Sequence, residues 1–454
     1  MFIKNLILIN YRNYNQLDIE FSKNVNVFIG NNAQGKTNVL EAIYYCCFAK
    51  SHRTSKDREL IRWDCDDAYI SIQVGKERLD KRIDINILKN GKKAIKVNKL
   101  KINKIGELFG NFNVVMFSPE DLRIIKDSPG IRRRFIDMEI CQLNNKYYYS
   151  LVQYNKIINE RNIILKNRKI DEDMLDIYDT QLAMYGEFIM KERIKYLQKL
   201  NHYGSGIHKQ ITSQKEEIQF KYISSIRITE NIQEEFINEL KRSRRKDIDK
   251  GMTTVGIHRD DFSVHINNVE AKTYGSQGQQ RTAILTMKFA SLNIIKEVTG
   301  EYPILLLDDV LSELDDSRKK YILSSINNIQ TIITCTGNDN IDEYLDSKAK
   351  IFKVTYGKIL KLRRWFFVFL HLGENVVVPI KDIIGIFDLQ STMYSSDTIQ
   401  FLRMAEEDGF VERITDEEPK SFVIAEVNKK SKVYLSPISS LTLSKRTELN
   451  YNNY

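Results

Sequence analysis

The sequence predicts an α/β protein whose nucleotide-binding core is split in two by inserted lobes and followed by a small α+β domain. Three observations predict it. A strand-like run at residues 25–29 leads through a glycine-containing loop into a helical run at 38–48. A continuous apolar run at 304–307 has the length of a strand buried on both faces, and ends in Asp308 and Asp309. Near residue 358 the composition changes sign: residues 1–364 hold 60 Lys/Arg against 47 Asp/Glu, a net +13, and residues 365–454 hold 9 against 13, a net −4.

The elements follow in order. Residues 2–9 and 25–29 are rich in Ile, Val and Phe, as strands are. Residues 70–74 and 83–88 alternate apolar and polar, and Asn90-Gly91 supplies a turn, so 60–100 reads as an antiparallel β lobe. From 130 to 250 the pattern is helical. Leu175, Tyr178, Leu182, Tyr185 and Ile189 mark a packed helix seam, with no run long enough for an extended coiled-coil arm. Residues 262–266 and 269–272 around Asn267-Asn268 predict a hairpin, and 329–334 a further strand. The expected domains are 1–129 (first half of the core with the β lobe), 130–250 (helical lobe), 251–357 (second half), 358–364 (a basic linker) and 365–454. In the last, 376–378, 383–387, 421–427 and 433–435 read as strands and 397–407 as a helix.

Composition narrows the setting. At 454 residues and 42% hydrophobic content the chain can build several cores. Five scattered cysteines with no paired spacing argue for a reducing compartment and against zinc or a disulfide framework. No run approaches the ~20 residues of a membrane span, and the start lacks signal-peptide character, so a cytoplasmic protein is expected. The positive balance of the first 364 residues suits a polyanionic partner.

Three motifs carry chemistry. Gly30, Asn31, Asn32, Ala33, Gln34, Gly35, Lys36 and Thr37 fit the phosphate-loop pattern G-x-x-x-x-G-K-[ST]. The glycines let backbone N–H groups face a β-phosphate, Lys36 reaches the β- and γ-phosphates, and Thr37 offers a hydroxyl to Mg²⁺. Asp308 then supplies a carboxylate for Mg²⁺, and Asp309 is positioned to orient or deprotonate water. Tyr274-Gly-Ser-Gln-Gly-Gln-Gln-Arg281 precedes an apolar helix, and Ser276 at its start is a second γ-phosphate reader. Two helix starts cannot occupy one phosphate face. A head-to-tail homodimer, with Ser276 of one copy on the ATP of the other, resolves the conflict.

Together these motifs, with Ser312-Glu-Leu-Asp315 as a D-loop, resemble an ABC-type ATPase head of the P-loop NTPase class. Asn10-Tyr-Arg-Asn-Tyr14, Ser51-His-Arg-Thr54, Phe117-Ser-Pro-Glu-Asp121, Arg132-Arg-Arg134 and Gly256-Ile-His-Arg-Asp-Asp261 narrow the likeness to the RecF family of recombination mediators, from residue 1 to about 360. The resemblance implies ATP-dependent binding of single-stranded, gapped or duplex DNA, ATP-driven dimerisation and slow, DNA-stimulated hydrolysis. It also implies work with RecO and RecR in DNA repair, replication restart and the SOS response to DNA damage. Arg132, Arg133, Arg134, Arg242, Arg244, Arg245 and Lys246 are candidate DNA contacts. Gln277 stands where the wider ABC signature has Gly, Asp309 where it has Glu, and Thr336 and Asn338 where a switch His is usual. These departures point to a slow clamp timer.

The last segment is similar to RemB, a relative of the matrix regulator RemA, over about 365–448. It suggests a fusion of two neighbouring reading frames, with the tail a regulatory DNA-binding or interaction module. An ABC transporter subunit is disfavoured by the large insertion and missing His. An SMC- or Rad50-type structural ATPase would need hundreds of residues of heptads.

Overall fold

The computed structural model describes every residue except 168–170, 337–348, 363–368, 375, 393, 416–417, 428–429 and 453–454. The chain divides into two compact units, Met1–Leu362 and Arg363–Tyr454.

The first unit is built on two six-stranded sheets. In one, Val25–Ile29 lies between Thr331–Cys335 and Lys350–Thr355, and Ile304–Asp308 and Val114–Phe117 follow beyond Thr331–Cys335. These five strands run parallel. Ile304, Leu305, Leu306 and Leu307 are all buried, as the unbroken apolar run requires of a strand covered on both faces. Its neighbour Thr331–Cys335 is buried throughout.

The sixth strand of this sheet corrects an expectation. Lys358–Leu362, read as a basic linker, pairs antiparallel with Lys350–Thr355. Lys358 and Leu360 are exposed and Ile359 is half-buried, as an outer strand paired on one side allows. Residues 363 and 364 of that reading lie outside the described residues.

The second sheet is antiparallel, in the order Tyr14–Glu20, Phe2–Tyr11, Asp67–Gly75, Lys81–Leu88, Lys93–Val97 and Leu100–Lys101. It contains the β lobe read at 60–100, and also recruits the first two strands of the chain. Local alternation signals a strand but not its partner. Gly91 closes the foreseen turn at φ +82.

The helical region holds Pro129–Cys141, Asn145–Leu165, the 40-residue Glu172–Ile211 and Ile232–Lys250. The 40-residue helix exceeds the sequence reading, yet it is no free arm. Leu175, Leu182, Ile189, Leu197 and Leu200 along its length are buried. Asp171 caps its start by accepting the Met174 N–H. Buried charges bind the helices together: Arg161 pairs with Asp179 at 2.7 Å and Asp247 at 2.8 Å. Deleting one partner of such a cluster would strand a buried charge.

In the second unit, Ile383–Asp388, Ser421–Val427, Lys430–Ser436 and Val411–Arg413 form a four-stranded sheet, and Phe369–Gly373 pairs with Val376–Pro379. Leu370, Leu372, Val378, Val423 and Leu443 form its small core. Ser396–Glu407 is the foreseen helix. The terminal helix Ser440–Asn452 was not foreseen.

Candidate nucleotide site and the two helix starts

The phosphate loop connects the strand Val25–Ile29 to the helix Lys36–Phe48. Both glycines are sterically required. A Cβ on Gly30 would lie 2.4 Å from the Val354 carbonyl oxygen. Gly35 caps the helix at φ +113, and a Cβ there would lie 2.4 Å from the Asn13 side chain. No side chain caps this helix. Its first N–H groups therefore face the cleft as an anion cradle.

Lys36 is buried, and its Nζ donates to the carbonyls of Gly30 at 2.7 Å and Asn31 at 3.2 Å. These bonds hold the ammonium across the mouth of the loop. Thr37 Oγ1 donates to Asp308 Oδ1 at 2.9 Å, and Thr334 Oγ1 donates to the same oxygen at 2.8 Å. Burial pushes the Asp308 carboxyl above its ordinary range, the two hydroxyls oppose that rise, and the neighbouring Asp309 charge adds to it. Hydroxyl and carboxylate oxygens so close together fit a hard cation such as Mg²⁺.

Asp309 lines the cleft in a left-handed backbone conformation, φ +51. Its N–H donates to Thr334 Oγ1 at 2.9 Å, and its carbonyl accepts from Ser312 Oγ at 2.7 Å. A non-glycine residue held this way is a sign of local constraint. Thr336 follows the strand as an exposed residue, and Asn338 lies outside the described residues.

The cleft has a volume of about 790 Å³ and is lined by the loop, by Arg12, Arg53 and Arg62, and by Trp63. Trp63 is 91% exposed at the rim. Glu41, fully buried, organises this wall. It accepts from Arg12 Nη2 at 2.7 Å and Ser51 Oγ at 2.6 Å, with Arg53 Nη1 at 3.8 Å. Burial alone would raise Glu41, but the bonds and charges of Arg12, Ser51 and Arg53 outweigh it and hold the carboxyl below its ordinary range. Sequence reasoning quoted the Arg12 and Ser51–Arg53 motifs without giving them a role. The signal was there: Glu41 sits inside an apolar helix face, where a carboxylate needs a cation.

Ser276 is exposed and is absent from the residues lining this cleft. It caps the helix Gln277–Thr299, accepting the Gln279 N–H at 3.2 Å, while Gln279 Oε1 accepts the Ser276 N–H at 2.9 Å. Gln279 also donates to Glu216 at 2.9 Å, and Glu216 lies 3.5 Å from the buried His208. Arg281 Nη1 donates to the Glu313 carbonyl at 2.7 Å, and Arg318 Nε to Thr282 Oγ1 at 2.9 Å, so residues 312–315 are held against this helix.

The arginine candidates separate. Arg132 is 4% exposed and clasps Asp261 through Nε at 2.6 Å and Nη2 at 2.8 Å, so it is structural and not a DNA contact. Arg133 is half-buried, with Nη1 on the Asp260 carbonyl at 2.6 Å. Arg244 binds Asp176 and Asp179. These three were misread because a cationic run in sequence does not show which carboxylates the fold sets opposite it. Arg134, Arg242, Arg245 and Lys246 are exposed, and Arg242 pairs with Glu239 at 3.4 Å.

Residues 2–359 match the family model RecF/RecN/SMC N terminal domain. The DNA replication and repair protein RecF of Clostridium perfringens strain 13 is 65% identical over 359 residues, spanning 79% of this chain and 99% of that protein. The chain belongs to the RecF family. The Clostridium beijerinckii RecF is 62% identical over 365 residues, 80% of this chain and 100% of the relative. A solved structure of the recombination mediator protein RecF with ATP, in the RecFOR pathway, is 39% identical with TM-score 0.74, over 80% of this chain and 97% of that one. An Smc head bound to the C-winged helix domain of ScpA is 15% identical with TM-score 0.50, a likeness of fold alone. The first unit is thus an ABC-type ATPase head of RecF type. Residues 369–447 match the model Extracellular matrix regulatory protein A-like, in keeping with the RemB-like reading of the tail. Among the described residues no helix is long and apolar enough to cross a membrane.

Proposed function

We propose that the head binds ATP in the cleft at residues 30–37 and uses it to close a head-to-tail dimer on DNA, within the repair and replication role of its family. The uncapped helix start at Gly35 carries this reading. Its free N–H groups, with Lys36, form a cradle for the β- and γ-phosphates. Thr37 and Asp308 would hold Mg²⁺, which when bound neutralises phosphate charge. Asp309 orients or deprotonates the attacking water, with a shorter reach than the Glu of the wider class, and hydrolysis is accordingly slow. DNA stimulates it by favouring the closed dimer.

Ser276 supports the dimer by its position. It is exposed, away from its own chain's cleft, and held on a helix start fixed to residues 312–315. A second copy's triphosphate is the ligand such a face suits. Arg134, Arg245 and Lys246 remain as backbone contacts for DNA. RecO and RecR are the partners the family suggests, and a reducing cytoplasm suits five free cysteines. The second unit serves as a separate regulatory or interaction module. The domain limits proposed are 1–129, 130–250 and 251–362 within the head, and 363–454 for the tail.

The test measures DNA binding and oligomeric state with and without ATP. Wild type dimerises on ATP and binds DNA with a steep salt dependence. Dimerisation without ATP, or DNA binding indifferent to both ATP and salt, would overturn the reading.

A further inference from the structure

A second cavity, of about 570 Å³, shares the loop at residues 50–59 with the ATP cleft. It falls within the roughly 300–1,000 Å³ of small-ligand sites. Its walls come from three places: the loop after the helix Lys36–Phe48, the strand Lys93–Val97 with Ile105 and Phe109, and the helices Pro129–Cys141 and Asn145–Leu165. Of its residues only Ser51, which donates to Glu41 in the cleft wall, and Arg134 have a role so far.

Its lining has two halves. One is cationic and hydroxylic: Lys50, Arg134, Ser51 and Ser55. Lys93 also lines it but is committed, with Nζ on the Ala49 carbonyl at 2.6 Å and Asp57 at 2.8 Å. Asp137 is matched by Arg193 at 2.9 Å. Lys50 and Arg134 are exposed, and among the described residues neither forms an ion pair, so the cavity has surplus positive charge. The other half is aromatic, with Tyr148 against Phe109 at a ring separation of 4.9 Å. Cations beside an aromatic face suit a phosphate joined to a flat base.

We propose that this cavity takes one unpaired nucleotide of a DNA strand, its base on Tyr148 and its phosphate between Lys50 and Arg134. The net charge of +13 over residues 1–364 favours a polyanion over a neutral metabolite. A duplex cannot fill the cavity, because its bases are stacked inside the helix. The site therefore reads a single-stranded end or gap. It rests on the ATP-and-DNA reading above and sharpens it to a strand structure.

The same loop serves both sites. Ser51 Oγ donates to Glu41 and accepts the N–H groups of Arg53 and Thr54, at 2.9 and 3.1 Å. Arg53 lines the ATP cleft, and Ser51, Thr54 and Ser55 line the second cavity. A ligand that fixes residues 51–55 from one side fixes them for the other. ATP and the strand therefore tighten each other's binding by one common factor.

The test uses the full chain and a five-nucleotide DNA carrying 2-aminopurine at one end, whose fluorescence falls when the base stacks. Lys50→Glu should weaken binding of this oligonucleotide about tenfold, and Tyr148→Ser should abolish the quenching. Both variants should still bind ATP, and both should bind a blunt duplex as wild type does. In wild type, ATP should tighten the oligonucleotide by the factor with which the oligonucleotide tightens ATP. Unchanged oligonucleotide binding in Lys50→Glu would sink the proposal. So would an equal loss on blunt duplex, which would mark a general cationic surface. Free thymidine monophosphate that quenches tyrosine emission while the oligonucleotide fails to displace it would mean a free-nucleotide site, and would overturn the strand reading. If wild type fails to bind ATP at all, the fault lies in the reading of the first cleft; if ATP and duplex bind normally and only the oligonucleotide results fail, it lies here alone.

Discussion

The helices beginning at Lys36 and Gln277 both start after a glycine- or serine-bearing loop, but they end that loop differently. The first has a left-handed Gly35 and no side-chain cap. The second is closed on itself, Ser276 and Gln279 satisfying each other's N–H groups. An uncapped start leaves N–H donors open to solvent or to an anionic ligand. A capped start is stable without one. The difference supports placing the proposed nucleotide site on the first helix, with the second as a preformed rigid face for a nucleotide held elsewhere.

The largest expected effect is at Lys36. Lys36→Ala removes a charge-assisted phosphate contact, and ATP affinity by calorimetry should fall by about 10- to 100-fold. Survival of tight ATP binding would remove the asymmetry between the two helix starts. Next, Ser276→Arg should leave ATP affinity within about twofold and abolish ATP-dependent dimers in light scattering. Normal dimerisation of this variant would show that the head-to-tail arrangement is wrong.

Acid should act on histidines packed against both helices. His52, edge-on to Tyr44 of the first at 5.3 Å, is pushed down to about 4 by burial, which outweighs the Glu41 charge. His208, behind the second, is also lowered by burial, against Glu216. His258 of the Gly256–Asp261 motif is pushed down to about 4 by burial as well. For His52 and His258 the folded value lies below the ordinary 6.5, so the stability from keeping them neutral is full above pH 6.5 and is lost as pH falls toward 4. His208 acts in the same direction. Denaturant midpoints measured across that window should fall, and a flat profile would mean the imidazoles are hydrated.

A smaller change comes from Ser276→Ala. Losing the cap should cost about 1 kcal/mol of ATP-free stability, read by urea unfolding. A loss near zero would make the second start as open as the first. The smallest effect is expected from deleting residues 363–454: ATP affinity of the head should not change, and its loss would show that the units share a function.

Much of the head was legible because its signals are local. The loop at 30–37 needs only its own glycines, Lys36 and Thr37, and the buried run at 304–307 announces its strand by composition. The pairing of Phe2–Tyr11 with Asp67–Gly75 was not legible, since alternation marks a strand without naming its neighbour. Lys358–Leu362 looked like a linker because its two lysines, followed by Arg363 and Arg364, make a short basic run in sequence, and only the pairing with Lys350–Thr355 shows a strand. The roles of Arg12, Ser51 and Arg53 were missed because Glu41 gathers them from three separate segments.

What the sequence determined by itself is the chemistry: a phosphate loop, an acidic strand end, a serine at a helix start, and a basic head joined to an acidic tail. These depend on residue type and short spacing, which the chain carries wherever it folds. Only the tertiary structure decided which charges are spent. It set Asp261 against Arg132 and Asp179 against Arg244, and left Arg134 exposed beside Lys50. The reason is that a charge's role depends on what lies within a few ångströms of it, and residues 129 apart in sequence meet only when the fold brings them together.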